Sequence, residues 1–325
     1  MGLVTNFSTI EYLKKLDISE AFRASFSEDK KIAIEEIRKS APSSDQQWQA
    51  TIAAIDAPRE AEAQKQLAVF DGTYSETHIA GVPTFGLSPN NKHPDFPDYL
   101  FLHFHGGAFV LGGGISCLGE PLLFNRFLPM ETISVDYRMP PAHSAPAATH
   151  DGLAVYQDVL KTWPADRIIM GGTSAGSALA YSVLLSAKEK GLPMPAAVFA
   201  GTPFCDLSFT GDTLSTMENI DRVLVTYHGF LGAAGALYAQ NYDLKDPLVS
   251  PVYGDMTGMP PSFLVSGTRD LLLSDTVRLH RKLRDAGVRA DLTVFEGQSH
   301  ADYMFVPGTP ETTALYRDFE RFLNQ

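Results

Sequence analysis

Short apolar runs that alternate with helical stretches constrain this chain more than any other feature of its 325 residues. The runs YLFLHF, RIIM, AAVFA and SFLVS are almost continuously apolar, which is typical of strands buried on both faces of a parallel sheet. Helical patterns over 147–161, 175–190 and 274–286 alternate with them. This alternation predicts an α/β fold. We expect strands over 74–80, 83–88, 99–104, 132–136, 167–170, 196–200, 262–266 and 290–295.

The composition changes near residue 70. The first 70 residues contain one glycine, Gly2, and are rich in Ala, Glu, Lys and Gln, which predicts helices. Ser8 and Glu11 fit a capping box, and Pro42 and Pro58 are predicted to separate further helical stretches.

A second departure covers residues 206–245, called the insertion below, which carry many aromatic residues and glycines but no convincing strand pattern. We therefore expect an N-terminal helical part over 1–70, a core over 71–205 and 246–325, and the insertion between the two halves of the core. The helical part and the insertion are predicted to form a cap over the carboxyl ends of the strands, where open α/β sheets bind ligands.

Charge and cysteine content exclude several classes of protein. The chain has 26 Lys and Arg against 38 Asp and Glu, a formal charge of −12, which opposes binding to nucleic acid or to an anionic membrane surface. Cys117 and Cys205 are too few for a disulfide framework. The sequence shows neither a signal-peptide pattern nor an apolar stretch long enough to span a membrane. We expect a cytoplasmic protein that binds a small molecule.

A G-x-S-x-G pentapeptide carries the clearest chemical signal. Residues 172–176 read GTSAG and lie between the run RIIM and a helical stretch. Small residues around Ser174 allow the strained strand-to-helix turn that exposes a hydroxyl, and the N-terminus of the helix favours developing negative charge. The pattern predicts that Ser174 is a nucleophile.

A serine nucleophile needs a general base. Three histidines follow Ser174 in the sequence. His228 lies inside the insertion, ahead of any acid on a late strand, and His280 lies among basic residues of a helix. His300 follows the last strand in a loop, so we predict that it is the base.

The base in turn needs an acidic partner that orients it. Asp270 lies at the carboxyl end of the penultimate strand and is the predicted partner of His300. Asp275 and Glu296 are the competing candidates. We expect Asp275 to serve the first turn of the helix that begins near Ser274 instead.

The turn His105-Gly106-Gly107-Ala108 follows YLFLHF and matches the glycine-rich turn that supplies an oxyanion hole. We predict that the donors are main-chain N–H groups of Gly106, Gly107 and Ala108, joined by that of Ala175. The sequence leaves open which N–H groups of the turn face the site, and a plain glycine turn is the alternative.

A metal site is a competing interpretation of the same region. His103 and His105 are two residues apart, which would place both rings on one side of a strand. No further His, Asp and Glu set with ligand-like spacing accompanies them in the sequence, although a catalytic metal usually needs three protein ligands. Apolar neighbours favour a buried, hydrogen-bonded His103. We expect no metal and no cofactor.

With HGGA, GTSAG, Asp270 and His300 in this order, the chain resembles the hormone-sensitive-lipase-like family of α/β-hydrolases, which includes many bacterial carboxylesterases. The resemblance extends over most of residues 70–325 and includes DYR at 136–138, DPLVSP at 246–251 and the stretch SGTRDLLLSD. Thr173, Ala142 and Ser177 depart from the common pattern, and Thr173 makes the chain similar to the GTSAG branch.

This resemblance implies the α/β-hydrolase fold with an eight-stranded, mostly parallel sheet, a helical cap and hydrolysis of short acyl esters without a metal. Members of the family are often dimers, so it also allows a homodimer. We therefore expect a serine carboxylesterase. A lactone hydrolase or deacetylase with the same triad is one alternative. Another is a non-catalytic ligand receptor on the same fold, although such receptors have typically lost a catalytic residue and this chain has all three.

Overall fold

One sheet of eight strands organises the protein, whose computed structural model describes residues 16–25 and 39–325. The strands are β1 (Gly72–Ile79), β2 (Val82–Pro89), β3 (Leu100–Phe104), β4 (Glu131–Val135), β5 (Ile168–Thr173), β6 (Ala197–Gly201), β7 (Ser262–Gly267) and β8 (Ala290–Phe295). Their order is β1-β2-β4-β3-β5-β6-β7-β8. Strand β2 pairs antiparallel with β1 and β4, and every other pair is parallel. All eight predicted strands are confirmed.

Helices connect the strands and flank the sheet. In the described ranges they are α1 (Glu20–Ala24), α2 (Asp45–Leu67), α3 (Gly119–Phe127), α4 (Ala147–Val159), α5 (Ala175–Glu189), α6 (Thr213–Thr216), α7 (Gly232–Ala239), α8 (Leu273–Asp285), α9 (Asp302–Phe305) and α10 (Pro310–Leu323). Helices α4, α5 and α8 confirm the three predicted ones. No helix in the described ranges combines the length and apolar character that a bilayer span requires.

The central parallel strands β3, β5, β6 and β7 are buried on both faces, as their apolar runs predict. Along β3, Leu102 and Phe104 belong to the core on one face, together with residues of α4 and α5, whereas Phe101 belongs to the core on the other face. There Phe101 stacks on Phe124 of α3, with ring centroids 4.2 Å apart. Helix α10 completes this second face, where Phe319 lies 5.1 Å from Phe199 of β6.

The prediction that Pro58 separates two helices is wrong, because Pro58 lies inside α2. An internal proline lowers the stability of a helix by about 3 kcal/mol. Residues on both sides of Pro58 nevertheless contact the rest of the protein and stabilise this helix. Trp48 lies 5.4 Å from the ring of Phe230, Asp56 accepts a hydrogen bond from the N–H of Gly112, and Ala63 is buried. The predicted capping box at Ser8 and Glu11 lies outside the described residues.

The insertion contains α6, a π-type turn at Tyr227–Leu231 and α7, and it has no strand. It lies in the chain between β6 and β7. Strands β3, β5, β6, β7 and β8 run in the same direction. The loops that follow them therefore meet at one edge of the sheet, as carboxyl ends do in an open α/β sheet.

Candidate active site

Ser174 occupies a strained turn between β5 and α5. Its φ of 61° lies in a region that a serine rarely adopts, its N–H donates to the carbonyl of Gly201 at 2.7 Å, and its side chain is buried. The flanking glycines allow this turn, because a Cβ at Gly172 or Gly176 would lie 1.9 Å from the carbonyl oxygen of Phe104. The pentapeptide therefore forms the sharp strand-to-helix bend that the sequence predicts.

His300 and Asp270 meet at the ends of β7 and β8. The His300 Nδ1 atom lies 3.1 Å from Asp270 Oδ1, and both side chains are buried. The carboxylate of Asp270 is itself oriented, because Oδ2 accepts from the hydroxyl of Ser266 and Oδ1 from the N–H of Leu272, each at 2.8 Å. An imidazole held at Nδ1 in this way presents its other nitrogen, Nε2, for proton transfer.

Ser174 and His300 line the same cavity, which has a volume of about 350 Å³. Residues of α2 and of the insertion close it from other directions, among them Pro58, Ala63, Val223 and Leu224. In the described part of the chain no direct hydrogen bond joins the Ser174 hydroxyl to the His300 ring. Such bonds are often long in active sites without substrate and tighten when substrate binds.

The predicted oxyanion turn lines this cavity beside Ser174. A Cβ at Gly106 would lie 3.4 Å from the Cβ of Ser174, which shows how closely the turn approaches this residue. Gly107 has a φ of 120° and Ala108 a φ of 54°, and the Gly107 carbonyl accepts from the N–H groups of Val110 and Leu111 at 3.0 and 2.9 Å. Ala175 is the first residue of α5, where N–H groups have no partner within the helix.

Comparison with known proteins places this arrangement in a family. Residues 101–304 match a family profile described as the alpha/beta hydrolase fold, and this match covers more than half of the chain. The chain belongs to the α/β-hydrolase family.

Two solved structures and one sequence relative agree with this assignment. An esterase designated E25 is 41% identical to the α/β-hydrolase described here, with a TM-score of 0.87 over 94% of each chain. A hormone-sensitive lipase from a metagenome library is 27% identical, with a TM-score of 0.81 over 98% of this chain and 97% of the other. An acetyl-hydrolase of Streptomyces hygroscopicus is 29% identical over 211 residues, 65% of this chain and 70% of that protein. The resemblance to hormone-sensitive-lipase-like proteins is confirmed.

A buried hydrogen-bond network lies next to Ser174 in this α/β-hydrolase, and the sequence did not predict it. The carboxylate of Glu120, on α3, accepts hydrogen bonds from the N–H of Thr173 at 3.1 Å and from its hydroxyl at 2.5 Å. The hydroxyl of Tyr303 lies 2.5 Å from Thr173 Oγ1. Thr173 precedes Ser174, and Tyr303 belongs to the segment that follows His300. The network therefore connects the two segments that carry the predicted nucleophile and base.

His103 completes this network and bears on the metal alternative. As the sequence predicts, His103 is buried and hydrogen-bonded, with Nε2 3.0 Å from Glu120 Oε2 and Nδ1 2.8 Å from Ser134 Oγ. Both ring nitrogens thus already lie within hydrogen-bonding distance of protein oxygens. His105 is separate: its Nδ1 lies 2.9 Å from the Gly106 carbonyl, its ring stacks on Tyr137, and burial lowers its pKa to about 3.

The histidines and acids that were the alternatives to His300 and Asp270 make other contacts in this α/β-hydrolase. His228 contacts the ring of Phe209 within the insertion, and His280 Nε2 lies 3.1 Å from the carbonyl of Ala290. Asp275 lies in the first turn of α8 as expected. Its carboxylate also accepts from the N–H groups of Cys205 and Asp206 after β6, two contacts that the sequence did not predict. Glu296 is exposed.

Proposed function

We propose that the protein is a serine carboxylesterase that hydrolyses short acyl esters through an acyl-enzyme on Ser174. One observation carries the proposal: a serine on a strained strand-to-helix turn shares a cavity with a buried histidine, and an oriented carboxylate lies 3.1 Å from the Nδ1 of that histidine. Similarity to the esterase E25 and to the acetyl-hydrolase supports ester bonds as the target. The presence of all three proposed catalytic residues argues against a receptor.

The first half of the proposed reaction forms the acyl-enzyme. Ser174 Oγ attacks the ester carbonyl while His300 Nε2 accepts the hydroxyl proton, and Asp270 stabilises the imidazolium that results. The main-chain N–H groups of the Gly106–Ala108 turn and of Ala175 supply donors for the oxyanion of the tetrahedral intermediate. His300 then returns the proton to the leaving alcohol as the ester C–O bond breaks.

The second half releases the acid. A water molecule gives a proton to His300 and attacks the acyl carbonyl, which forms a second oxyanion in the same place. Collapse of this intermediate returns the proton to Ser174 and frees the carboxylic acid. Both halves of the reaction use His300 as the base and the same main-chain N–H groups as oxyanion donors.

We further propose that α2 and the insertion act as a cap that limits substrate size. Pro58, Arg59, Glu62 and Ala63 of α2 line the cavity, as do Val223, Leu224 and Leu231 of the insertion. A cavity of about 350 Å³ with a largely apolar lining suits a small acyl group such as acetyl or butyryl better than a long chain.

The test is hydrolysis of p-nitrophenyl acetate and butyrate by Ser174→Ala and His300→Ala. We expect each variant to lose activity by at least about a thousandfold, with unchanged circular dichroism. Ser186→Ala, on the helix that follows Ser174, and His280→Ala serve as controls and should keep wild-type rates. Wild-type turnover by a folded Ser174→Ala protein would overturn the proposal.

A further inference from the structure

Two adjacent residues of the insertion, Asp221 and Arg222, contact the loops that carry the proposed acid and base. They lie between α6 and the turn at Tyr227–Leu231. Asp221 is 1% exposed, although it is charged and belongs to a segment that the sequence presents as a cover. A buried carboxylate that no proposed catalytic step uses needs another explanation.

The carboxylate of Asp221 accepts hydrogen bonds from four backbone N–H groups. Oδ1 accepts from Val223 at 2.7 Å and Leu224 at 3.0 Å, both within the insertion. Oδ2 accepts from Leu271 at 2.8 Å and from His300 at 3.3 Å. Leu271 is the neighbour of the proposed acid in the chain. One side chain thus connects the insertion, the acid loop and the base loop.

Arg222 holds the base loop on both sides of His300. Its backbone N–H donates to the hydroxyl of Ser299 at 3.1 Å. Its guanidinium donates to Asp302 Oδ1 from Nε at 2.9 Å, and Nη2 lies 2.6 Å from the same oxygen. The other oxygen of Asp302 accepts from the N–H of Ser299 at 2.7 Å. Asp302 is fully buried and the Arg222 side chain is 18% exposed, so this ion pair is largely shielded from solvent and restrains the loop.

We propose that Asp221 and Arg222 form a positioning clamp, by which the insertion holds the Asp270 and His300 loops in the relation that lets His300 serve Ser174. The inference rests on the proposed function, because it assigns a purpose to the clamp through His300. An insertion that only covered the substrate would act on substrate binding. The clamp acts on the geometry of proton transfer, where a displacement of about 1 Å is enough to lower the rate a hundredfold.

Charged and titratable side chains from three segments meet at the clamp. Asp221 and Arg222 come from the insertion, Asp270 from the loop after β7, and His300 and Asp302 from the loop after β8. Burial and the charge of Asp270 raise the pKa of Asp221 to about 6, while protonated His300 opposes this rise. By reciprocity, ionised Asp221 stabilises the imidazolium form of His300. Removal of this charge should therefore move the acid limb of the kcat/KM profile to lower pH.

The experiment compares Asp221→Asn with a matched variant, Glu218→Gln. Asparagine offers one acceptor oxygen to the four N–H groups and turns an NH₂ group toward two of them. Glu218 lies in the same insertion, and its carboxylate accepts from the hydroxyl of Thr226, also within the insertion. We measure kcat and KM on p-nitrophenyl butyrate from pH 5 to 9, together with circular dichroism and thermal unfolding.

For folded Asp221→Asn we expect kcat to fall about tenfold to a hundredfold, with KM changed less than about threefold. The acid limb of kcat/KM should move to lower pH by about half a unit or more. Glu218→Gln should match the wild type in both respects. Wild-type kcat in folded Asp221→Asn, or an unmoved acid limb, would overturn the inference, because a merely structural residue leaves that limb in place.

Arg222→Lys keeps the clamp testable if Asp221→Asn does not fold. Lysine keeps the positive charge but not the guanidinium geometry that reaches Asp302. A fall in kcat of about threefold or more at unchanged KM supports the clamp, and wild-type kcat contradicts it. His300→Ala is assayed alongside. If that variant is active, the proposed function fails; if it is inactive while both clamp variants behave as wild type, only the clamp fails.

Discussion

The hydroxyls of Thr173 and Tyr303 lie 2.5 Å apart beneath the proposed active site and join two segments that are 130 residues apart in the chain. Thr173 directly precedes the proposed nucleophile, and Tyr303 follows the proposed base by three residues. Because the Thr173 hydroxyl donates to Glu120, the Tyr303 hydroxyl is the donor in this contact. The carboxylate of Glu120, on a third segment, therefore positions the segments of Thr173 and Tyr303.

Glu120→Gln tests whether the Glu120 carboxylate positions these two segments. Glutamine keeps the shape of the side chain but replaces one of two oxygens that accept from Thr173 and face His103, so one buried donor loses its acceptor. We expect a loss of about 1–3 kcal/mol in the free energy of unfolding and a fall in kcat of about tenfold. Urea unfolding and steady-state kinetics measure both. Unchanged stability and kcat would show that the network is dispensable.

Gly172→Ala tests the packing of the turn at Ser174. The new Cβ would lie 1.9 Å from the carbonyl oxygen of Phe104, a backbone atom that cannot move aside on its own. We expect a loss of about 3 kcal/mol or more in the free energy of unfolding. Gly308→Ala is the matched control, since an added Cβ there meets no atom within 4 Å and should change stability by less than about 0.5 kcal/mol. Equal stability of the two variants would contradict the packing argument.

Stability should depend on pH through His105. Burial lowers the pKa of His105 from 6.5 to about 3, so between these values the unfolded chain binds a proton that the native state refuses. The contribution of this residue to stability is therefore lost as the pH falls from about 6.5 toward 3. His105→Phe, which keeps a ring against Tyr137, should lose about 2 kcal/mol less between pH 7 and pH 5 than the wild type. Chemical unfolding at pH 7 and pH 5 measures the loss of stability in each protein. Equal losses in His105→Phe and in the wild type would refute the prediction.

Cys117 also lines the cavity, and its thiol should be inert. Burial raises the pKa of this thiol well above its usual range, and only the thiolate reacts readily. We expect iodoacetamide at pH 8 to leave ester hydrolysis unchanged and Cys117→Ser to remain active. Rapid inactivation by the reagent, with protection by substrate, would instead implicate the thiol in catalysis.

Features carried by local patterns were predictable from the sequence. Continuous apolar runs revealed the buried strands, and the small residues of GTSAG revealed the turn at Ser174. Asp270 and His300 followed from their places after the last two strands. Helix α10 was overlooked, although its buried Leu315, Phe319 and Phe322 recur at helical spacing.

Features that depend on distant contacts were not predictable. Glu120 meets Thr173 across 53 residues, and Asp221 meets His300 across 79, with no local signal for either contact. Pro58 was misread for the same reason, because tertiary contacts of α2 outweigh its local preference. The homodimer and the cytoplasmic location remain predictions.

Covalent labelling tests the central claim most directly. A diethyl p-nitrophenyl phosphate probe reacts with an activated serine, so intact mass spectrometry should show one diethylphosphoryl group per chain, peptide mapping should place it on Ser174, and ester hydrolysis should disappear in proportion. Ser174→Ala and His300→Ala should both resist labelling. A label on another residue, or full activity after stoichiometric modification of Ser174, would contradict the account.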